Sequence, residues 1–437
     1  MQTARRVGAK LASAAQGAVV RRHRPDYQIV LYMGLLMLLG LVIMYAIGPQ
    51  RANVLNNAYS TDYYSSMYFF VKQTISLLLA LATFVALALL PYTWIKKYAG
   101  KILLVGFIAC ILLFLTGNLI HIDAITQCSL GACRWFNLGP LGSLQPAELL
   151  KFGLLAFTAG FLGMRANQGL VNDMHKTLIP LGALVLVAVF FVVGLQKDMG
   201  TGIAMMAILA SIMMVAGVSK KVGAILLGGA VGIGLIFIVL APHRVERVMT
   251  FLAGDSSASA EIDDANYHIT HAKIAIGSGG FLGVGIGNSV QATGYLPEAI
   301  NDSVFAIMGE TFGFVGLTLI LLLFGALLLR LLKVVDHLPD MWMKLAVAGV
   351  FGWLAAHVIL NVAAMIGVFP LTGITLPLLS FGGTSMIFIA GALGLAFQLS
   401  RYTTHGQVNK ESRYENSGSR RGVGRTRYTG SRSTPRT

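Results

Sequence analysis

Charge is scarce in this sequence. Asp, Glu, Lys and Arg make up 12% of the 437 residues, against 56% hydrophobic residues. A soluble domain carries about twice that charge. The shortage excludes the two or three soluble domains that length alone would allow. Acidic residues are the scarcer sign, 18 against 33 Lys and Arg. Alternation of polar and apolar residues is also missing from the apolar stretches, which excludes a transmembrane β-barrel. Cysteine is limited to three residues, so no disulfide framework organises the chain. Cys110 falls in an apolar run and reads as a small core residue. Cys128 and Cys133 lie close together, and an oxidising compartment would permit a disulfide there; two free thiols are the alternative. A zinc site would need further ligands, and only His121 and Asp123 are near.

What the chain has instead is long apolar runs. About 20 apolar residues carry a helix across about 30 Å of hydrocarbon. Such runs occur near 27–47, 69–90, 102–120, 148–163, 178–195, 200–217, 222–241, 303–328, 344–366 and 385–400. The expected fold is an all-α polytopic membrane protein of about ten transmembrane helices. Its largest outer loop, 242–302, joins the seventh and eighth. Basic residues set the orientation. With the N-terminus inside, 25 of the 33 Lys and Arg fall on the cytoplasmic side, in the arm 1–26, the even-numbered loops and the tail 401–437. Only Arg51, Arg134, Lys197, Arg244, Arg247 and Lys273 fall outside. The positive-inside rule therefore places both termini in the cytoplasm. The first span is too long for a cleavable signal peptide and lacks a small-residue cleavage site. The tail, rich in Gly, Ser, Thr and Arg, reads as a disordered segment near anionic headgroups, with a specific partner as the alternative.

Chemistry-bearing residues crowd the outer side. The loop 242–302 holds six acidic residues between Asp255 and Asp302, with Arg244, Arg247, His268, His271 and Lys273. Its glycines, from Gly277 to Gly287, are no dinucleotide fingerprint, because no βαβ unit surrounds them. They read either as a tight re-entrant turn or as a turn whose amides meet a phosphate. Charges inside spans are expensive and each needs a reason. Glu148 and Lys151 share one helical face at the outer end of the fourth span, as a self-neutralising ion pair or as a pair facing a polar cavity. Glu310 sits two turns into the eighth span with no local partner in the sequence. Lys72 extends to the interface.

Several segments together resemble the SEDS family (shape, elongation, division and sporulation), of the FtsW/RodA type. They are Gly131-Ala132-Cys133-Arg134-Trp135-Phe136-Asn137-Leu138-Gly139-Pro140, then Gln145-Pro146-Ala147-Glu148 with Lys151, and Gln196-Lys197-Asp198-Met199-Gly200-Thr201. Next come Tyr295-Leu296-Pro297-Glu298-Ala299-Ile300-Asn301-Asp302, then Asn361, Pro370-Leu371-Thr372-Gly373 and Pro377-Leu378-Leu379-Ser380-Phe381-Gly382-Gly383-Thr384-Ser385. The likeness runs from about residue 27 to 400. The chain departs from the family where His268, His271 and His357 stand in place of Gln, and Lys197 in place of Pro. His268 and His271, one turn apart, read as neutral imidazoles hydrogen-bonding as the glutamines would, or as part of a metal site.

The resemblance implies a peptidoglycan glycosyltransferase that polymerises lipid II, a disaccharide-pentapeptide on undecaprenyl pyrophosphate, outside the bacterial cytoplasmic membrane. It implies a class B penicillin-binding transpeptidase and other divisome or elongasome proteins as partners, and no nucleic acid. The closing motif and the extended basic termini lean towards the division type. A flippase of lipid-linked precursors and a non-catalytic scaffold are the rival readings. Glycosyl transfer to a sugar hydroxyl calls for a base near the acceptor and donors or cations for the departing phosphates. The family's essential aspartate matches Asp302, the expected catalytic base; as a residue of the eighth helix's N-terminus it could also be only a cap. Arg244 and Arg247 suit the pyrophosphate, since a guanidinium fork holds two oxygens, with headgroup contact as the alternative. Lys151 (with Glu148) and Lys273 are further candidates. Glu298 and Asp198 suit the acceptor or a metal. Trp135 suits a sugar face or the membrane interface. No cofactor is assigned with certainty, and an assisting divalent cation, Mg or Mn, is left open.

Overall fold

The computed structural model describes residues 23–122, 124–129, 132–139, 142–239 and 262–404. The basic arm up to residue 22, the tail from 405, and residues 240–261 of the large loop lie outside the described residues.

Each apolar run becomes a helix, because hydrocarbon offers no partner to an unpaired amide or carbonyl. In chain order α1 is Tyr27–Tyr59, α2 Tyr68–Leu89, α3 Tyr92–Leu119, α4 Pro146–Asn167, α5 Met174–Leu195 and α6 Met199–Ala216. Then follow α7 Lys220–Val239, α8 Ile262–Ser278, α9 Val304–His337, α10 Met341–Met365 and α11 Gly383–Leu399. Among the described residues nine of these, all but α7 and α8, are long and apolar enough to cross a membrane. Helix α7, with 20 residues, occupies the place of the expected seventh span. Leu31, Leu78, Leu104, Leu319 and Leu322 remain exposed on the bundle's flanks, where lipid would otherwise meet backbone.

Local chemistry sets the helix ends. Asp26, Asp173, Asp198 and Asp340 each cap a helix N-terminus with a carboxylate oxygen. Gly217, with φ 81°, closes α6 in the left-handed conformation. Small residues let backbones meet inside the bundle. A Cβ on Gly153 would lie 2.7 Å from the Cα of Leu103, and one on Gly106 would lie 2.9 Å from the Cα of Leu150, so α3 and α4 touch through glycine on both sides.

The two ends of the bundle differ. At one end Arg330 pairs with Asp26, the Asp26 amide donates to Ser400 Oγ at 2.9 Å, and Gln398 donates to the carbonyl of Ala88 at 3.3 Å. Tyr92 stacks on Trp342 beside them. This is the end from which the chain enters α1 and leaves α11. At the opposite end Gln50 donates to Gly287 O at 3.0 Å, Gln73 to Ser380 O at 3.3 Å, and Thr384 to Ser143 O.

That opposite end also holds a small three-stranded antiparallel sheet, β1 Thr126–Ser129, β2 Ala132–Asn137 and β3 Ser143–Leu144, in the order β1-β2-β3. Cys128 and Cys133 stand opposite each other in β1 and β2 and are joined as a disulfide; Cys110 is free and buried. Mass spectrometry of non-reduced protein from its native membrane should find the two loop cysteines linked. Two free thiols there would contradict it. Closure of so short a loop stabilises by about 2–3 kcal/mol at most.

Candidate functional site

The site is built around the segment that leads into α9. Gly313 breaks that helix with φ 66°, nine residues after its start. The break frees backbone groups, and the glycine-rich turn 279–287 takes them up. Val284 N–H donates to Glu310 O at 2.9 Å and Gly285 N–H to Thr311 O at 3.1 Å. In return Phe314 N–H donates to Gly280 O at 2.9 Å and Val315 N–H to Phe281 O at 3.2 Å. A Cβ on Gly283 would lie 2.2 Å from Thr311 O, so only glycine fits this approach. The re-entrant-turn reading of these glycines therefore holds. The amides of residues 283–285 are spent on protein carbonyls, not left for a phosphate.

Glu310 finds its partners in the same loop. Buried at 2% exposure, it accepts from the Ser289 hydroxyl, from Val290 N–H at 3.0 Å and from Gln291 N–H at 3.2 Å. His271 Nδ1 lies 2.8 Å from Gln291 Oε1 and must donate, since an amide oxygen only accepts. Tyr267 and Tyr295 flank that imidazole, with ring centroids 4.0 and 6.2 Å away.

The next turn carries Asp302. Glu298 takes φ 49°, and its carbonyl receives the amides of Asn301 at 2.9 Å and Ser303 at 3.2 Å. Ser303, not Asn301 or Asp302, is the N-cap residue of α9. Asp302 stands just before it, which corrects the expected register by one or two residues. Ser303 Oγ donates to Pro297 O at 2.8 Å. Its only proton is thereby used, so His268 Nε2, 2.6 Å away, donates to it. From α10, Asn361 donates one amide hydrogen to Asp302 O at 2.7 Å and the other to Ile374 O at 2.8 Å. Phe381 N–H donates to Ile300 O at 2.8 Å. Helices α8 and α10 and the closing segment 374–381 thus converge on Ile300, Asp302 and Ser303. Asp302 itself is half-buried, while Glu298 is exposed and accepts from Asn301 Nδ2.

The remaining candidates are spread around this centre. Arg244 and Arg247 lie outside the described residues. Lys273 is exposed on α8, its side chain laid against the backbone of Gly367 just past α10. Asp198 is 8% exposed and committed to the turn: it accepts from Thr201 N–H at 2.9 Å, Thr201 Oγ1 at 2.8 Å and Gln145 Nε2 at 2.9 Å. Three donors already occupy it, so its position speaks for a structural cap and not for an acceptor or metal contact. Trp135 is half-buried in β2, opposite Gln127. Glu148 and Lys151 lie inside the bundle. They are 2% and 0% exposed and paired at 2.8 Å, so direct contact with a surface pyrophosphate is removed from their roles in this conformation.

The sequence reading assigned no role to Arg134. It donates to Lys197 O at 2.8 Å and Gln196 O at 3.4 Å, and so clamps the turn in which Lys197 adopts φ 53°. A left-handed lysine is unusual, and the Arg134 contacts hold it there. His268 and His271 reach different partners, Ser303 and Gln291. Among the described residues no group of three His, Cys, Asp or Glu comes together to hold a metal.

Residues 27–405 match the family model described as cell cycle protein, covering FtsW, RodA and SpoVE. The chain belongs to this family. Stage V sporulation protein E of Bacillus subtilis (strain 168) is 30% identical over 392 residues, which span 88% of this chain and 99% of that protein. A probable peptidoglycan glycosyltransferase FtsW of Halorhodospira halophila is 33% identical over 355 residues, 79% of this chain and 85% of its own. Among solved structures, a chain from the work described as structural coordination of polymerization and crosslinking by a peptidoglycan synthase complex superimposes with a TM-score of 0.63. It has 25% identity over 86% of this chain and 98% of that one. The rod shape determining protein RodA of Thermus thermophilus has the same fold, with a TM-score of 0.61 at 24% identity, covering 87% and 98%. The match takes in every segment that meets at the Asp302 turn: α8, α10 and the closing motif.

Proposed function

We propose that this protein is a peptidoglycan glycosyltransferase that polymerises lipid II on the outer face of the bacterial cytoplasmic membrane, in cell division. The observation that carries the reading is the Asp302 turn, held by α8, α10 and the closing segment at the bundle end away from the entry of α1 and the exit of α11. Such convergence positions one carboxylate, and positioning is what a general base requires. Asp302 accepts the proton of the acceptor sugar's hydroxyl as that oxygen bonds to the anomeric carbon of the donor. The bond from that carbon to the pyrophosphate breaks, and undecaprenyl pyrophosphate leaves with the electron pair. Lys273, exposed nearby on α8, and Arg244 and Arg247 bear the charge of the departing phosphates. Glu298 contacts the acceptor, and Trp135 lies under a sugar face. A class B penicillin-binding transpeptidase crosslinks the product; the solved relative from a complex coordinating polymerization and crosslinking supports that partnership. The described residues build no metal cage of their own for an assisting Mg or Mn ion.

Purified protein in liposomes with lipid II separates the readings. Glycan polymer supports the enzyme; translocation of lipid II without polymer would make it a flippase. Neither, with transpeptidase recruitment intact, would make it a scaffold. Changing Arg244 and Arg247 together to Ala should lower polymer synthesis about tenfold to a hundredfold while folded protein persists, since a charge-assisted contact to phosphate is worth roughly 1.5–3 kcal/mol. Wild-type synthesis by that variant would assign the pair to bilayer headgroups.

A further inference from the structure

The buried ion pair of α4 has a third member. Lys151 Nζ lies 2.8 Å from Glu148 Oε1, 3.2 Å from His357 Nε2 on α10, and 4.9 Å from the centre of the Trp353 ring. All three polar side chains are at most 4% exposed. An ammonium only donates, so His357 Nε2 must accept, and the ring proton then resides on Nδ1. A protonated His357 would set two cations 3.2 Å apart against a single carboxylate, which so dry a site opposes. Trp353, His357 and Asn361 follow at four-residue spacing and therefore share one face of α10. The lower two meet Lys151. Asn361, one turn on, holds the Ile374 carbonyl together with that of Asp302.

We propose that His357 is a positioning residue for the Asp302 turn, a neutral imidazole that ties α10, and with it Asn361, to the buried Lys151–Glu148 pair. The Asp302 turn and the closing segment are then both held by Asn361, one turn along the face of α10 that His357 anchors. That anchor is a charge pair that cannot move out into lipid. Without an acceptor at position 357, the Lys151 ammonium loses one of its two polar partners and is drawn towards Glu148. Helix α10 loses that anchor, and the Asn361 contact to Asp302 shifts with it. Displacement of about 1 Å at a reacting group costs up to about a hundredfold in rate.

The proposal rests on the glycosyltransferase reading for its kinetic test, so a second measurement stands apart from activity. His357→Leu should lower kcat for lipid II polymerisation about tenfold to a hundredfold, with KM within about twofold. His357→Gln supplies a carbonyl for Lys151 and should return kcat to within about threefold of wild type. Equal rates for the Leu and Gln variants would overturn the proposal. Independently, nitrogen NMR of histidine-labelled full-length protein in bilayers should show one neutral ring protonated at Nδ1 whose signals vanish in His357→Gln. An imidazolium, or a ring protonated at Nε2, would overturn it even in a preparation whose His357→Leu variant fails to fold. A wild-type protein that makes no polymer would contradict the enzymatic reading and leave the NMR result to decide the role of His357.

Discussion

Asp302→Asn should reduce lipid II polymerisation by about 10²–10⁴-fold, the usual contribution of a general base, while insertion and transpeptidase binding persist. Asn preserves the volume of Asp and loses only the negative charge and the ability to take a proton. Other groups also hold the turn. Asp302 is held through its carbonyl by Asn361, and its neighbours through Ser303 Oγ and the Ile300 carbonyl. Ser303 occupies the cap position of α9, so a cap is not what the substitution removes. Ser303→Ala is the informative companion. It breaks the link between His268 and Pro297 without touching a carboxylate, and should cost less activity than Asp302→Asn. Rates from purified variants reconstituted at equal density check both. Near-wild-type polymerisation by Asp302→Asn would move the base to Glu298.

Glu310→Leu should be the most damaging substitution for folding. Its carboxylate receives one hydroxyl and two amides from residues 289–291, all at a buried site. Leucine matches the volume and leaves those three donors with nothing to bond, a cost of roughly 3–9 kcal/mol at about 1–3 kcal/mol per group. The loop from Ser289 to Leu296 would then come away from the kinked start of α9 and loosen the approach to Asp302. Glu310→Gln retains one oxygen acceptor and should fall between the two. Thermal unfolding in detergent, followed by the loss of monodisperse protein, should rank wild type above Glu310→Gln above Glu310→Leu. Equal midpoints for all three would mean that the 289–291 loop finds other acceptors.

The membrane spans were legible because transfer into hydrocarbon is summed along the chain and needs no knowledge of neighbours. Helix ends were not. The helix α1 runs on to Tyr59 and α9 to His337, well past the apolar runs near 27–47 and 303–328. Hydropathy marks the buried length, whereas the backbone stops only at a cap or a break. Helix α8 and the β1–β2 hairpin went unseen because each is short and polar and is stabilised by its contacts. Asp302 was found through its motif, yet its register against the helix was off, since Asn, Asp and Ser all make good caps. The partners of Glu310 lie 19 to 21 residues upstream and reach it only through the kink at Gly313. Lys151 and His357 are 206 residues apart, and nothing local announces their contact. Charge pattern pointed to the face, and the fold alone brought the groups together.

The sidedness of polymerisation tests the central claim most directly. Full-length protein is reconstituted into liposomes, and vesicles of one orientation are selected by impermeant labelling of a cysteine placed at Ser219, in the turn between α6 and α7. Lipid II is then added to one leaflet only. Polymer should form when lipid II enters the leaflet facing the Asp302 turn, and Asp302→Asn should abolish it there. Polymer formed only from the leaflet on the side of Arg330 and Asp26 would contradict the account.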